Sequence, residues 1–294
     1  MATRKQWIEG ARPRTLPAAI APVLVGSTIA WYEHGLQPGV ALLALVVSLA
    51  LQVGVNYSND YSDGIRGTDE NRVGPVRLVG QKLASPSQVK KAAFLSYGMG
   101  ALAGVGMVTL SGHYLLLPVG MAAIVAAWFY TGGPRPYGYA GFGEVFVFVF
   151  FGLVAVIGTS ASQTGHISTL SVLAGCGCGL ISTAILVVNN LRDIPGDTVA
   201  GKRTLAVRMG DAKTRVLYVM CLAIAILLPV AMSRAGANPP KQASLAVFAS
   251  VLAVRPMRTL RSGALGRDLI PVLADTGKLL MLYAVLLAVG IGLS

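Results

Sequence analysis

Long apolar stretches without a single charge alternate with short polar stretches along this chain. Residues 16–32, 36–59 and 92–111 each lack Asp, Glu, Lys and Arg. An apolar stretch of about 20 residues is long enough to cross the hydrocarbon core of a bilayer, which is roughly 30 Å thick. The alternating pattern of outer-membrane strands is absent, so the sequence predicts membrane-spanning helices.

We predict nine spans, with the eighth the least regular because two arginines and a proline crowd its end. The predicted spans are residues 15–34, 39–58, 88–110, 113–131, 143–163, 168–189, 214–233, 242–258 and 271–292. The predicted fold class is therefore all-α: a polytopic membrane helical bundle of about nine transmembrane helices around a central cavity, in a single domain over residues 1–294.

The distribution of basic residues predicts the orientation of this bundle. Cytoplasmic segments of membrane proteins carry an excess of Lys and Arg. If the N-terminus is cytoplasmic, only Arg234, Lys241 and Lys278 of the 24 Lys and Arg residues fall outside the cytoplasmic segments. We therefore expect a multi-pass protein of the cell membrane with its N-terminus in the cytoplasm.

Composition agrees with this assignment to the membrane. Hydrophobic residues make up 54% of the chain and charged residues only 12%, against about 25% charged residues in typical soluble domains. The net charge of +12 follows largely from the topology, so we expect membrane lipids as the surroundings and no nucleic acid partner. Cys176 and Cys178 lie in an apolar run without nearby histidines, which indicates small packing residues in a helix.

The acidic residues are concentrated at two places where an apolar helix meets a loop. Of only 12 Asp and Glu residues, six lie within residues 59–70 and 189–197. Helical spacing places Asp60 and Asp63 on one face, and the same holds for Asn190 and Asp193. Pro195 and the glycine after it make the last turn uncertain, so the second stretch ends either in a helix or in a loop.

Carboxylates held close together repel one another unless a cation joins them. Hard oxygen ligands at a polar mouth suit Mg²⁺, which commonly binds through a few carboxylates together with substrate phosphates. Lys and Arg residues follow each acidic stretch, and they would neutralise the remaining phosphate charge. The pattern predicts a metal–diphosphate site; the alternative is a pair of ordinary polar loops, which also collect Asp, Asn and Gly.

The two acidic stretches correspond to each other when the sequence is shifted by 130 positions. Asn59 then falls on Asn189 and Asp63 on Asp193, while Asp60 falls on Asn190. This indicates two related halves, about residues 10–140 and 141–294, whose acidic helix ends face each other across a cavity on the cytoplasmic side.

At this level of detail the sequence resembles the UbiA superfamily of intramembrane prenyltransferases. The superfamily has nine helices and two aspartate-rich motifs, NDxxDxxxD and DxxxD. This chain matches them with Asn59-Asp60-x-x-Asp63 and with Asp193-x-x-x-Asp197, although the first motif continues to Asp69 instead of ending four residues after Asp63. That form, DGIRGTD, is similar to the branch acting on 1,4-dihydroxy-2-naphthoate in menaquinone synthesis.

The resemblance implies Mg²⁺-dependent transfer of a polyprenyl group from its diphosphate to an aromatic acid, with loss of carbon dioxide and formation of demethylmenaquinone. It implies catalytic roles for the four motif aspartates, Asp60, Asp63, Asp193 and Asp197. The implied metal contacts are these four together with Asn59, Asp69 and Asn190. The implied diphosphate contacts are Arg66, Arg72, Lys202 and Arg203.

Several alternatives remain open from the sequence. The same fold could act on 4-hydroxybenzoate, homogentisate, chlorophyllide or haem. A lipid phosphotransferase or a transporter is a more distant possibility. Transporter sites lie near mid-membrane, whereas the two acidic stretches of this chain lie at helix ends. In the fifth span, Phe146, Phe148, Phe150 and Phe151 could line a groove for the prenyl tail or face lipid or the core. Tyr130, Tyr137 and Tyr139 could support the allylic cation through their ring faces or belong to an interfacial belt. Glu144 could touch the substrate, act as a base or cap a helix.

Overall fold

The computed structural model describes residues 2–67 and 76–294, and every regular element in those ranges is helical. The helices are α1 (Arg4–Gly10), α2 (Pro17–Tyr32), α3 (Pro38–Ile65), α4 (Pro86–Ser111), α5 (Leu116–Phe129), α6 (Gly143–Thr164), α7 (Thr169–Val199), α8 (Leu205–Met209), α9 (Asp211–Met232), α10 (Lys241–Arg261) and α11 (Ile270–Gly292). Short 3₁₀ turns lie at Pro13–Thr15, Tyr137–Ala140 and Gly266–Leu269.

Seven helices in the described part of the chain are long and apolar enough to cross a membrane: α3, α4, α6, α7, α9, α10 and the Gly266–Gly292 segment that contains α11. Arg4–Thr15 and α2 meet at a bend of 51° and count as an eighth crossing if taken as one span. α5 has 14 residues, which rise only about 21 Å. The predicted fold class is confirmed, and the fourth predicted span is this shorter helix.

Helix boundaries follow from local sequence chemistry. Ser85 accepts a hydrogen bond from the backbone of Gln88, whose side chain bonds back to Ser85, and this reciprocal cap begins α4. Ser168 and Ser171 make the equivalent cap at the start of α7. Gly112 ends α4 in the left-handed conformation, which costs glycine little. Both long helices therefore start at a fixed residue.

Close packing of α6 against α7 depends on three glycines. A Cβ atom at Gly152 would lie 2.4 Å from the Cα of Gly179 and 2.6 Å from the carbonyl oxygen of Gly175. Gly175 and Gly179 are four residues apart, so they share one face of α7 and let the two backbones approach. Within α6, residues Phe148–Val154 wind as a π-helix beside this contact. Cys178 is a buried free thiol in α7, as its apolar surroundings predicted.

α10 begins with 13 residues in the 3₁₀ conformation, Lys241–Ala253. Because a 3₁₀ helix has three residues per turn, residues spaced by three share one face. Ala243, Ala246 and Ala249 follow this spacing and are all fully buried. A Cβ at Gly290 of α11 would lie 2.1 Å from the carbonyl oxygen of Gln242. The alanine face thus packs directly against α11.

The helices enclose a central cavity of about 770 Å³, as the sequence predicted. Its walls come from α2, α3, α5, α6, α7 and the start of α11. One apolar core joins α2, α7, α9, α10 and α11, and a smaller one joins α3, α4 and α5. α3 and α7 each carry one acidic motif at the C-terminal end. The relation between two halves of the chain stays a prediction.

Candidate active site

The first acidic motif lies on the last two turns of α3, and its two aspartates have different surroundings. Asp60 is fully buried, and its carboxylate accepts the backbone N–H groups of Leu78 at 2.7 Å and Val79 at 3.0 Å. Both carboxylate oxygens therefore hold the segment at Leu78 and Val79 against α3. A carboxylate has about four acceptor positions and these bonds use two of them, so the implied metal contact of Asp60 stays a prediction.

Asp63, one turn later, is surrounded by donors from three other parts of the chain. Its Oδ1 lies 2.8 Å from Lys202 Nζ, and its Oδ2 lies 3.9 Å from an Arg77 nitrogen. The Tyr139 hydroxyl also donates to Oδ1. Asp63 is 3% exposed, so the neighbouring cations compensate much of the cost of burying its charge.

The second motif is helical throughout, because α7 continues through Pro195 to Val199. This resolves the question left by the sequence: Asp193 and Asp197 are one helical turn apart on the same face. Asp193 makes a two-point ion pair with its neighbour Arg192, with N···O distances of 2.7 and 2.8 Å. This ion pair uses one acceptor position on each carboxylate oxygen, and the implied metal contact of Asp193 stays a prediction.

Lys202 joins the two motifs. α7 ends at Val199, and Gly201 adopts a left-handed conformation that turns the chain back, with the backbone N–H of Lys202 donating to the Asp197 carbonyl oxygen at 2.8 Å. The ammonium group then lies 2.8 Å from Asp63 and 4.0 Å from the Asp197 carboxylate. The two motifs therefore converge, as the repeat predicted, and one buried lysine spans the space between them.

A polar cavity of about 60 Å³ lies at this point of convergence. Its lining combines carboxylates, amides and cations from both motifs and from the loop after α5. The lining residues are Arg12, Asn59, Asp63, Arg77, Tyr130, Thr131, Gly138, Tyr139, Asn189, Asn190, Asp197, Lys202 and Thr204. Carboxylate and amide oxygens are ligands that Mg²⁺ prefers, so the donor set fits that metal.

Within residues 2–67 and 76–294, no group of three His, Cys, Asp or Glu side chains is arranged to hold a metal ion. Asp69 and Arg72, for which the resemblance implied metal and diphosphate contacts, lie outside those residues. Mg²⁺ usually retains water and binds through one or two carboxylates plus substrate phosphates. A site with Asp63 and Asp197 as its carboxylates meets that requirement.

Two basic residues with an implied diphosphate contact have other surroundings. Arg66 donates to the backbone carbonyl oxygens of Thr131 and Gly133, both at 2.6 Å, and thereby holds the loop after α5. Arg203 has an exposed side chain, and its backbone bonds to the Tyr139 carbonyl oxygen. Neither side chain lines the polar cavity, whereas Lys202 does, and the implied diphosphate contacts of Arg66 and Arg203 stay predictions.

Tyr139 makes a contact with the first acidic motif that the sequence did not predict. Besides donating to Asp63, its ring lies 4.6 Å from Lys202 Nζ and 5.3 Å from the Arg66 guanidinium carbon. Burial, followed by the negative charge of Asp63, raises the pKa of the Tyr139 phenol, so the hydroxyl stays protonated. The cations beside this ring are protein side chains, so support of the allylic cation by Tyr139 stays a prediction. Its position between a glycine and an alanine in a polar loop gave no sequence signal for the contact with Asp63.

The large apolar cavity adjoins the polar one, because Arg12, Asn59, Tyr130 and Asn189 line both. Tyr137 stacks on Phe146 with ring centroids 3.9 Å apart, and Phe146 stacks on Phe150 at 6.0 Å. All three rings line the large cavity. Phe146, Phe150 and Phe151 therefore belong to a cavity wall that runs from the charged site into an apolar chamber, whereas Phe148 is not among its lining residues.

Comparison with known proteins agrees with this arrangement. The family model "UbiA prenyltransferase family" matches residues 19–268. The chain is 51% identical to the 1,4-dihydroxy-2-naphthoate octaprenyltransferase of Mycobacterium tuberculosis, over 98% of this chain and 97% of that one, and 36% identical to the protein of the same name from Escherichia coli, over 98% and 95%.

The fold is also that of solved structures. A UbiA homolog from Archaeoglobus fulgidus bound to GPP and Mg²⁺ superposes with a TM-score of 0.71 at 14% identity, over 98% of this chain and 99% of that one. A UbiA homolog from Aeropyrum pernix K1 gives the same TM-score, over 96% and 98%. The resemblance inferred from the acidic motifs is confirmed, and the chain belongs to the UbiA prenyltransferase family.

Proposed function

We propose that this protein transfers a polyprenyl group from polyprenyl diphosphate to 1,4-dihydroxy-2-naphthoate in a Mg²⁺-dependent reaction. The observation that carries the proposal is the bridge made by Lys202 between Asp63 and Asp197, which brings both acidic motifs to one polar cavity. That cavity adjoins an apolar chamber of about 770 Å³, so a charged head and a long apolar tail have separate, connected places.

The polar cavity binds the diphosphate. Asp63 and Asp197 supply carboxylate ligands for Mg²⁺, and Asn59 and Asn190 supply amide oxygens. The ion acts when bound as a Lewis acid that stabilises the charge of the leaving diphosphate. The ammonium group of Lys202 lies beside both carboxylates. When Mg²⁺ and the diphosphate bind there, this group can exchange its carboxylate contacts for a phosphate oxygen.

Asp60 and Asp193 contribute to the site by positioning basic residues. Asp60 fixes the chain at Leu78, next to Arg77, which faces Asp63. Asp193 orients Arg192, whose side chain reaches the wall of the large cavity. Cations held in place by buried carboxylates remain aligned when charge develops on the leaving group, and this preorganisation lowers the barrier.

The acceptor reacts at the junction of the two cavities. The allylic carbon–oxygen bond breaks with its electrons going to the diphosphate, and an electron pair of the electron-rich ring forms the new carbon–carbon bond. The ring carboxylate leaves as carbon dioxide, giving demethylmenaquinone in its reduced form. The choice of acceptor is supported by full-length relatives that carry the name 1,4-dihydroxy-2-naphthoate octaprenyltransferase.

The test is a reaction of the purified protein with Mg²⁺, one long prenyl diphosphate and a panel of aromatic acids. Mass spectrometry should detect a decarboxylated prenyl naphthalenediol with 1,4-dihydroxy-2-naphthoate, and no product after chelation of Mg²⁺ with EDTA. A product formed only with 4-hydroxybenzoate or homogentisate would contradict the acceptor. Absence of product with every acid, in protein that is folded and supplied with Mg²⁺, would contradict the transfer reaction.

The proposed location is the cell membrane, with the N-terminus and the active site on the cytoplasmic side. The distribution of Lys and Arg between the two ends of the helices supports this orientation. Single cysteines introduced at Ser262 and at Ala235 should react with an impermeant maleimide from opposite sides of the membrane. Labelling of the Ser262 position from outside intact cells would contradict the orientation.

A further inference from the structure

Glu144 is a buried carboxylate whose position the reaction scheme above does not use. It lies in the first turn of α6 and is only 5% exposed. Its Oε1 accepts a hydrogen bond from Asn190 Nδ2 at 2.9 Å. Within residues 2–67 and 76–294, its Oε2 has no hydrogen-bond partner. A carboxylate buried in an apolar bundle is costly, so its retention calls for a specific reason.

The partner of Glu144 is a residue of the polar cavity. Asn190 lines that cavity together with Asp63, Asp197 and Lys202. A carboxylate can only accept hydrogen bonds, whereas an amide has a donating and an accepting end. Glu144 therefore holds the NH₂ end of the Asn190 amide, which leaves the carbonyl oxygen as the end available to the cavity.

We infer that Glu144 is a positioning residue that fixes the Asn190 amide with its oxygen toward the bound cation. The inference rests on the proposed function, because it assigns a supporting residue to the same metal–diphosphate site. Outer partners of this kind orient first ligands and tune the affinity of a metal site. Without Glu144, the Asn190 amide is free to rotate and to present its NH₂ group, which repels a cation.

A purely structural role for this hydrogen bond is a weaker explanation. α6 and α7 already pack through the contact of Gly152 with Gly175 and Gly179. Hydrophobic side chains at both residue 144 and residue 190 would join the helices without burying a charge, and replacing both partners of a buried polar contact can be neutral or stabilising. The hydrogen bond is therefore better explained by what it does to Asn190 than by what it does to the helix pair.

The experiment measures Mn²⁺ binding by electron paramagnetic resonance, with geranyl diphosphate present and no acceptor. Glu144→Leu should weaken Mn²⁺ binding by about 10–100-fold, the usual effect of losing an outer partner of a metal ligand. Glu144→Gln should bind Mn²⁺ nearly as the wild type does, because its amide oxygen can still accept from Asn190. Tyr218→Phe removes the buried hydrogen bond to Thr276, and because neither residue lines either cavity, this variant controls for a general loss of packing.

A second pair of variants stays informative if Glu144→Leu does not fold. Asn190→Leu removes the amide that Glu144 orients and should weaken Mn²⁺ binding. Adding Glu144→Leu to it replaces both partners of the buried hydrogen bond by apolar groups, which can be nearly neutral for stability, and should weaken Mn²⁺ binding no further, because Glu144 acts only through Asn190. The inference is overturned if Glu144→Leu binds like the wild type, if Glu144→Gln is as impaired as Glu144→Leu, or if the double variant binds Mn²⁺ more weakly than Asn190→Leu. Wild-type protein that binds no Mn²⁺ with the diphosphate would instead overturn the proposed function itself.

Discussion

Replacing Lys202 by methionine removes a positive charge that contacts both acidic motifs while keeping most of the side-chain volume. Lys202 Nζ lies 2.8 Å from Asp63 and 4.0 Å from Asp197. Coulomb's law with an effective dielectric constant of about 20 gives gross attractions of about 6 and about 4 kcal/mol at these two distances. Desolvation opposes most of this attraction, and removing one partner of a buried ion pair costs about 3–5 kcal/mol in practice.

We therefore expect substrate-free Lys202→Met to unfold at a temperature lower than that of the wild type by on the order of 10 °C. Mg²⁺ alone should recover more of this loss in the variant than it adds to the wild type, because a divalent cation can take the place of the ammonium group. Binding of a prenyl diphosphate should weaken by roughly 10–100-fold, since a charged hydrogen bond contributes about 1.5–3 kcal/mol.

The assay is thermal unfolding in detergent with and without Mg²⁺, combined with a binding titration of geranyl diphosphate. Lys213→Met is the matched control, since Lys213 is exposed in the first turns of α9 and its loss should change stability by less than about 0.5 kcal/mol. A Lys202→Met variant with the stability of the wild type, or an equal response of both proteins to Mg²⁺, would refute the assignment of Lys202 as the bridge between the motifs.

Three further outcomes are expected. Asp63→Asn and Asp197→Asn should each lower single-turnover prenyl transfer by at least roughly 100-fold in folded protein, and a loss below tenfold in either would contradict a metal role. Tyr139→Phe should remove one pH effect. Because the pKa of the Tyr139 phenol is raised on folding, its contribution to stability is complete below about pH 10 and falls as the pH rises beyond that value. The unfolding temperature should therefore fall more steeply between pH 8 and 11 in the wild type than in the variant, and parallel curves would count against this. Gly152→Ala should cost about 1–3 kcal/mol of stability by overpacking against α7, while Gly158→Ala in the same helix, where an added Cβ meets open space, should be nearly neutral; equal stabilities would disprove the tight contact.

The fold was largely predictable because the bilayer imposes simple rules on sequence. Charge-free runs mark helices, and the placement of Lys and Arg sets which ends share a side. The details that escaped prediction depend on packing between helices. α5 is short because Gly132 and Gly133 prevent the helix from continuing. α7 continues through Pro195, although proline lacks an N–H donor, because contacts with neighbouring residues keep the helix intact.

The candidate site was predictable as two acidic helix ends with nearby cations. The hydrogen-bond and ion-pair partners of the individual aspartates were not predictable. Helical spacing cannot tell that Asp60 accepts backbone N–H groups from residues 18 and 19 positions later, or that Asp193 pairs with its own neighbour. Both arrangements arise from the folded path of the chain. Lys202 was identifiable as a cation after the second motif, yet its reach to Asp63 depends on the turn at Gly201 and on long-range packing.

The central claim is that Asp63 and Asp197, from two different helices, bind one metal–diphosphate group. The direct measurement is an experimental structure with Mn²⁺ and a non-reacting prenyl thiolodiphosphate, in which anomalous scattering locates the metal. We expect Mn²⁺ within about 2.5 Å of a carboxylate oxygen of each aspartate, with the diphosphate beside Lys202 and the prenyl chain in the apolar chamber. Metal bound to only one of the two helices, or at the opposite end of the bundle, would contradict the account.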